Sequence, residues 1–283
     1  MTIHAKDLYE VVLDMVRNAV VDEAECKPIT MLILHYRFGC DNVAILTNAE
    51  VNTRNISCDI DSILARLSND EPIQYILGIS SFLGLDMHVN KSVLIPRQET
   101  EEMVLDVLSH NLSGKRVVDI CTGSGCIAIC VKNKYPTSIV YGVDISESAL
   151  DVARRNAKMN NVDITWVCHD VLSNDAMDDM YVDVVVSNPP YVCNSEMDGM
   201  CARVLNYEPH VALFVEDKLP LKFYEKIIDI CDKCLNDNGC VFFEINERFG
   251  NEVQLLLLSR GYANVVINKD MNGKDRWVYA KRL

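Results

Sequence analysis

From Lys115 to the end, the chain alternates between short apolar runs and amphipathic stretches. Residues 116–121 (RVVDIC), 138–144 (SIVYGVD), 164–168 (ITWVC), 182–187 (VDVVVS) and 240–245 (CVFFEI) read as strands rich in β-branched residues. Between them, residues 125–135, 146–161, 219–235 and 251–261 read as helices, with Leu150, Ala153 and Ala157 on one face of the second. The pair Asn238-Gly239 is expected to end the helix over 219–235. Alternating strand and helix force a largely parallel sheet covered by helices on both faces. Residues 263–268 and 276–282, around an Asn272-Gly273 turn, predict a closing hairpin whose last strand is antiparallel and lies at the sheet edge. In such folds ligands sit beyond the carboxyl ends of the strands.

The rest of the chain is organised differently. Residues 1–77 read as a helical domain, with an apolar stripe at Leu8, Val11, Val12, Met15 and Val16 and no useful strand alternation. Its expected role is to dock a substrate. Residues 78–96 read as a β-hairpin linker with a turn signal at Asn90-Lys91. Residues 97–283 form the α/β domain. Its opening, "PRQETEEMVLDVLSH", reads as a Pro-led helix whose acids face the positive end of the helix dipole.

Composition narrows the function. The chain has 283 residues, with 27 basic against 41 acidic and a net charge of −14. Nucleic-acid binding draws most of its affinity from neutralised phosphates, and no Lys/Arg run here supplies a patch for that. No apolar run reaches the length of a membrane span, and the N-terminus lacks a signal-peptide pattern. The cytoplasm is the expected location, and a monomer the expected state. Twelve cysteines in a chain of this size and kind are not a disulfide framework. Cys231-x-x-Cys234 falls in a helical stripe with Leu221, Tyr224, Ile228 and Leu235, so it reads as helix packing, and no metal site is expected.

Chemistry concentrates in two turns. The strand over 116–121 runs into Asp119-Ile120-Cys121-Thr122-Gly123-Ser124-Gly125, where two glycines let backbone approach a ligand at a helix start. The next strand ends at Asp144, where an acid commonly takes the ribose hydroxyls of a nucleoside. The loop lacks the G-x-G-x-x-G pyrophosphate fingerprint and suits an adenosyl group with a short amino-acid tail. The strand over 182–187 then stops at Asn188-Pro189-Pro190-Tyr191. The Asn188 side-chain carbonyl and the Pro189 carbonyl offer two acceptors, and neither proline has an N–H to continue the sheet. Tyr191 offers a ring for a planar group. The turn reads as a clamp for a planar amine or amide.

Loop, acid and turn together resemble an S-adenosylmethionine-dependent N-methyltransferase. With "PIQYILG" (72–78), "VLIPRQETE" (93–101), "YEPHVALF" (207–214) and "DMNGKDRWVYAKR" (270–282) in order, the chain resembles the PrmC/HemK family, the release factor glutamine methyltransferases. The resemblance is strong over about residues 70–283. It implies a Rossmann-like class I methyltransferase sheet with an antiparallel last strand, plus a small helical N-terminal domain. It implies S-adenosyl-L-methionine as methyl donor, S-adenosyl-L-homocysteine as product and class-1 peptide chain release factors as partners. The implied product is N5-methylglutamine in their Gly-Gly-Gln motif. Asp119, Cys121, Thr122, Gly123, Ser124, Gly125, Asp144, Val171 and Asn188 match the cofactor side, and Asn188, Pro189, Pro190 and Tyr191 the catalytic turn. Cys121, Gln98 and Asn246 depart from the family pattern, which has Gly, Pro and Gly there. Two alternatives use parts of the same signal: a DNA adenine-N6 methyltransferase, and a non-catalytic nucleoside-binding translation partner.

Overall fold

The computed structural model describes residues 2–53, 56–173 and 181–283; the side chains of residues 56–59 are outside the description. The chain divides into two compact units, Met1–Gly78 and Ile79–Leu283. No helix among the described residues is long and apolar enough to cross a membrane.

The first unit contains β1 (Thr2–His4), α1 (Ala5–Arg17), α2 (Glu23–Phe38), α3 (Asn42–Thr47), β2 (Glu50–Asn52), α4 (Ile56–Leu67) and α5 (Ile73–Leu77). β1 and β2 pair antiparallel, which the sequence did not announce. Strands of three residues are too short to display alternation. The α1 face is rotated from the expected stripe: Leu8, Val12, Leu13 and Val16 are buried while Val11 is 49% exposed. Asp22 caps α2 through the Ala24 N–H, and Gly39 ends it in the left-handed region.

The second unit opens with β3 (Ile79–Phe82) and β4 (Leu85–His88). Their turn is Leu83-Gly84, both at positive φ, rather than Asn90-Lys91. The hairpin is part of the second unit: Phe82 and Met87 are fully buried in its core with residues of the following helices and strands. There follow α6 (Gln98–Ser109), β5 (Arg116–Ile120), α7 (Cys126–Lys134), β6 (Ile139–Asp144), α8 (Glu147–Met159), β7 (Thr165–Cys168) and β8 (Val182–Ser187). Short β9 (Val192–Cys193), α9 (Ala202–Tyr207) and β10 (Phe214–Val215) lead to α10 (Lys222–Cys234), β11 (Leu235–Glu244), α11 (Gly250–Ser259), β12 (Tyr262–Lys269) and β13 (Asp275–Arg282).

Among the described residues the main sheet has 7 strands in the order β12-β13-β11-β8-β5-β6-β7. β11, β8, β5, β6 and β7 are parallel to one another. β13 is antiparallel to both its neighbours, as expected of the last strand, but it lies between β11 and β12, so the edge belongs to β12. Asn238-Gly239 does not end α10: the helix stops at Cys234, and the pair sits in the irregular start of β11, where the register shifts between Leu235 and Cys240. Cys231 and Cys234 are buried helix residues whose thiols burial pushes up, Cys234 to about 11. The β8 valines Val184, Val185 and Val186 are at most 4% exposed. Burying each stabilises by about 1.5–3 kcal/mol, so the strand is anchored on both faces.

The acids of α6 do more than face a dipole. Glu101 accepts the Leu83 N–H of the hairpin turn, Glu102 accepts the Met271 N–H, and Asp106 accepts the Trp277 indole N–H. One helix therefore ties β3–β4 to the closing hairpin.

Trp166 on β7 covers two glycines. A Cβ on Gly142 would lie 2.3 Å from its ring, and one on Gly125 2.8 Å. Gly142→Ala is expected to destabilise the protein by about 1–3 kcal/mol through overpacking. Urea unfolding checks this; unchanged stability would mean that the tryptophan moves aside freely.

Candidate active site

The parallel strands end on one edge of the sheet. Ile120 of β5 is level with Ser187 of β8 and with Val143 of β6; Ser187 is level with Phe243 of β11, and Asp144 with Cys168 of β7. The residues at or just after these ends stand in a row: Glu244, Asn188, the Cys121–Gly125 loop, Asp144 and the turn His169–Leu172. Strand order reverses at β5, with β6 and β7 following it on one side and β8 and β11 on the other, so the row spans the topological switch point.

The glycine loop is held from below. Asp119 is fully buried and accepts the Thr122 hydroxyl and the Ala128 N–H. It lies under the loop and does not line the cavity. Its other oxygen, Oδ1, is buried with no partner among the described residues. Burial pushes its carboxyl up to about 7. Cys121 has φ 63, a left-handed conformation that costs a side chain on the order of 1 kcal/mol relative to Gly. Burial raises its thiol well out of the reactive range. Gly125, at φ 80, starts α7 beneath Trp166 and also lies outside the cavity wall.

Asp144 is held up by burial as well. It accepts the Gly123 N–H at 2.8 Å and the Ser146 N–H at 2.9 Å. The cap of α8 is Ser146, whose hydroxyl takes the Ala149 N–H. A carboxylate has about four acceptor sites, so Asp144 keeps capacity for a further donor such as a hydroxyl.

Asn188 sits in a chain of side chains. Its Nδ2 donates to Thr100 Oγ1 at 3.2 Å, and Thr100 donates to Glu244 Oε2 at 2.6 Å. Tyr191 donates its hydroxyl to Glu244 Oε1 at 2.9 Å. Glu244 is 1% exposed; burial raises its pKa, opposed by the Thr100 and Tyr191 hydrogen bonds. Tyr191 packs beside the core and is not among the residues that line the cavity. Asn246, where the family pattern has Gly, donates to the Tyr191 carbonyl and to Glu196 and so braces the turn.

A cavity of about 190 Å³ opens at this edge. Of the residues singled out in the sequence, Cys121, Thr122, Gly123, Ser124, Asp144, Val171, Asn188 and Pro190 line it. Asp119, Gly125, Pro189 and Tyr191 are not among the lining residues. Ile145, Val171, Leu172 and Phe223 give apolar walls for a flat base, next to the remaining acceptor capacity of Asp144. His169 also lines the cavity, and its Nε2 is buried without a partner among the described residues. An adenosyl group with hydroxyls to donate fits these surroundings.

Sequence reading missed Thr100, Glu244 and Asn156. Asn156 is fully buried on α8; it donates to the His88 and Ser124 carbonyls and accepts the His88 N–H, joining the hairpin to the glycine loop. Its signal was a polar residue on the apolar face formed by Leu150, Ala153 and Ala157. Glu244 had a similar one, a charge at the end of "CVFFEI".

The buried Asp119 makes a pH prediction. The folded protein holds a proton on this carboxyl up to about pH 7, whereas an unshifted carboxyl loses it near 3.8. Folding stability therefore falls as pH rises from about 4 through about 7. Between pH 5 and pH 8 the natural protein should lose roughly 1–3 kcal/mol more than Asp119→Asn. Urea unfolding at both pH values checks it, and parallel profiles would contradict it.

Comparisons with known proteins agree with this arrangement. The family model described as "MTS: Methyltransferase small domain" matches residues 99–213. The release factor glutamine methyltransferase of Flavobacterium psychrophilum is 38% identical over 92% of this chain and 93% of its own length. That of Bacteroides thetaiotaomicron is 39% identical over 91% of this chain and 93% of its own length. A crystal structure of a methyltransferase from Pyrococcus furiosus shares the fold, at 21% identity, with a TM-score of 0.53 over 77% of this chain and 96% of that one. With the class I methyltransferase sheet, the strand-tip site and relatives of this identity along nearly its whole length, the chain belongs to the release factor glutamine methyltransferase family.

Proposed function

We propose that this protein transfers a methyl group from S-adenosyl-L-methionine to the side-chain amide nitrogen of the Gln in the Gly-Gly-Gln motif of class-1 peptide chain release factors. The product is N5-methylglutamine. The observation that carries the reading is the orientation of Asn188. Its NH₂ group is engaged by Thr100, so its carbonyl oxygen is the group left to meet a ligand in the cavity.

The bound S-adenosyl-L-methionine supplies a methyl group already activated by a sulfonium. Asp144 would hold its ribose hydroxyls, the Cys121–Gly125 loop its amino-acid tail, and Ile145, Val171 and Leu172 its base. The chain's own task is to present the glutamine amide. An amide nitrogen is a poor nucleophile because its lone pair is delocalised. Asn188 Oδ1 and the Pro189 carbonyl accept its two N–H groups, favour a pyramidal nitrogen and stabilise the positive charge that develops there. No base with a shifted pKa is required, because the amide proton leaves after the nitrogen has become cationic.

The substrate is a protein rather than a nucleic acid on this reading. Arg97 is the one Lys or Arg lining the cavity among the described residues, and it is ion-paired to the buried Glu208. A duplex-binding site needs cations free to neutralise phosphates, and the net charge of −14 works against it. The first unit, Met1–Gly78, would help to grip the release factor, and the protein would act as a cytoplasmic monomer.

Asn188→Ala is expected to lower single-turnover methylation by about 100-fold or more while cofactor affinity stays within about threefold. Asp144→Ala should instead weaken cofactor binding by about tenfold or more. Isothermal titration beside rapid-quench assays separates the two. Near-natural turnover in Asn188→Ala would remove the clamp, and unchanged affinity in Asp144→Ala would remove the ribose assignment.

A further inference from the structure

We infer that Thr100 and Glu244 are positioning residues that fix which end of the Asn188 amide faces the substrate. The inference rests on the methyl-transfer reading above and adds a directional device to it.

The direction follows from donor counting. Glu244 stands at the end of β11, 1% exposed, and both its side-chain oxygens accept, Oε2 from Thr100 and Oε1 from Tyr191. Thr100 is 3% exposed on the first turns of α6 and has a single hydroxyl proton. That proton goes to Glu244 Oε2 at 2.6 Å. Toward Asn188, Thr100 therefore has only lone pairs to offer, and the side-chain NH₂ of Asn188 must turn to it, as it does at 3.2 Å. The Asn188 carbonyl is thereby aimed the other way.

Without this chain the two ends of a carboxamide are nearly equivalent in shape. A flipped Asn188 would set its NH₂ against the substrate NH₂, donor facing donor. The relay is itself braced. Tyr191 fills the second Glu244 oxygen, and the Tyr224 hydroxyl bonds the Glu244 main-chain carbonyl at 2.9 Å. The positive charge of Arg276 favours the ionised carboxylate, while Glu99 acts against it. Arg276 is held in turn by buried Asp270 at 3.0 Å. The charged "NGKDR" turn of the closing hairpin thus supports the site without lining it.

The test uses full-length protein. Thr100→Val keeps the shape and removes the hydroxyl; Thr100→Ser restores the hydroxyl. Glu244→Gln keeps the shape but brings an NH₂ that must donate, which can reverse the direction of the chain. Thr100→Val and Glu244→Gln are expected to lower kcat on a release factor by about tenfold or more, with cofactor affinity by titration within about twofold. Thr100→Ser should recover kcat to within about threefold of the natural protein. Side-chain amide NMR on ¹⁵N-asparagine-labelled protein reads the device without turnover. The Asn188 Nδ2 signal, identified by its loss in Asn188→Ala, should be protected from exchange in the natural protein and in Thr100→Ser, and unprotected in Thr100→Val. Undiminished kcat in Thr100→Val, no rescue by Ser, or an unchanged Asn188 signal would overturn the relay. If the natural protein moves no methyl to a release factor, the functional reading fails, and the NMR comparison still decides the relay.

Discussion

The site depends on the register of the parallel strands. β11, β8, β5, β6 and β7 end level with one another, so residues far apart in sequence meet along one edge. A slip of one residue in β8 would reverse the faces of its valines and bury Asn188 or turn it away. Val184 and Val186 pack in the core on one face of the sheet and Val185 in the core on the other, so a slip would mispack both. The Ser187 hydroxyl, donated to the Ile120 carbonyl at 2.6 Å, locks the last rung. The prolines that follow end the strand where its register is best fixed.

Three carboxyl groups, buried Asp119 and Glu244 and half-buried Asp144, organise what stands on that edge. Asp119 holds the glycine loop from below, Asp144 holds it from the side, and Glu244 orders Thr100 and Tyr191. Each has its pKa raised by burial. Buried acceptors of this kind cost stability unless donors meet them, and here the donors are the loops and side chains that need fixing. Stability is spent on rigidity at the site. The left-handed backbone at Cys121 is a further strained position of the same loop.

The βα alternation was legible because each strand of the sheet centre is a run of β-branched residues bounded by turn signals. The switch-point site was legible because glycine loop, acid and Asn-Pro-Pro-Tyr each fall at a strand end. What was not legible has physical reasons. β1 and β2 are too short for a periodic pattern. The hairpin turn was misplaced because Leu83, a residue that rarely takes positive φ, supplies half of it beside Gly84. Asn238-Gly239 looks like a helix end, yet α10 stops four residues earlier and the pair belongs to the bulged start of β11. Tyr191 was expected to face a ligand, and only the fold reveals that its hydroxyl has Glu244 as a partner. Thr100, far from Asn188 in sequence, could not be connected to it without the sheet.

Tandem mass spectrometry of a class-1 release factor, incubated with this protein and S-adenosyl-L-methionine, tests the central claim most directly. The account predicts a one-methyl mass increment on the Gly-Gly-Gln peptide, with fragments that place the methyl on the glutamine side-chain nitrogen. It also predicts that Asn188→Ala leaves that peptide unmodified. A methyl on another residue, or an unmodified release factor while the same protein methylates adenine in DNA, would contradict it.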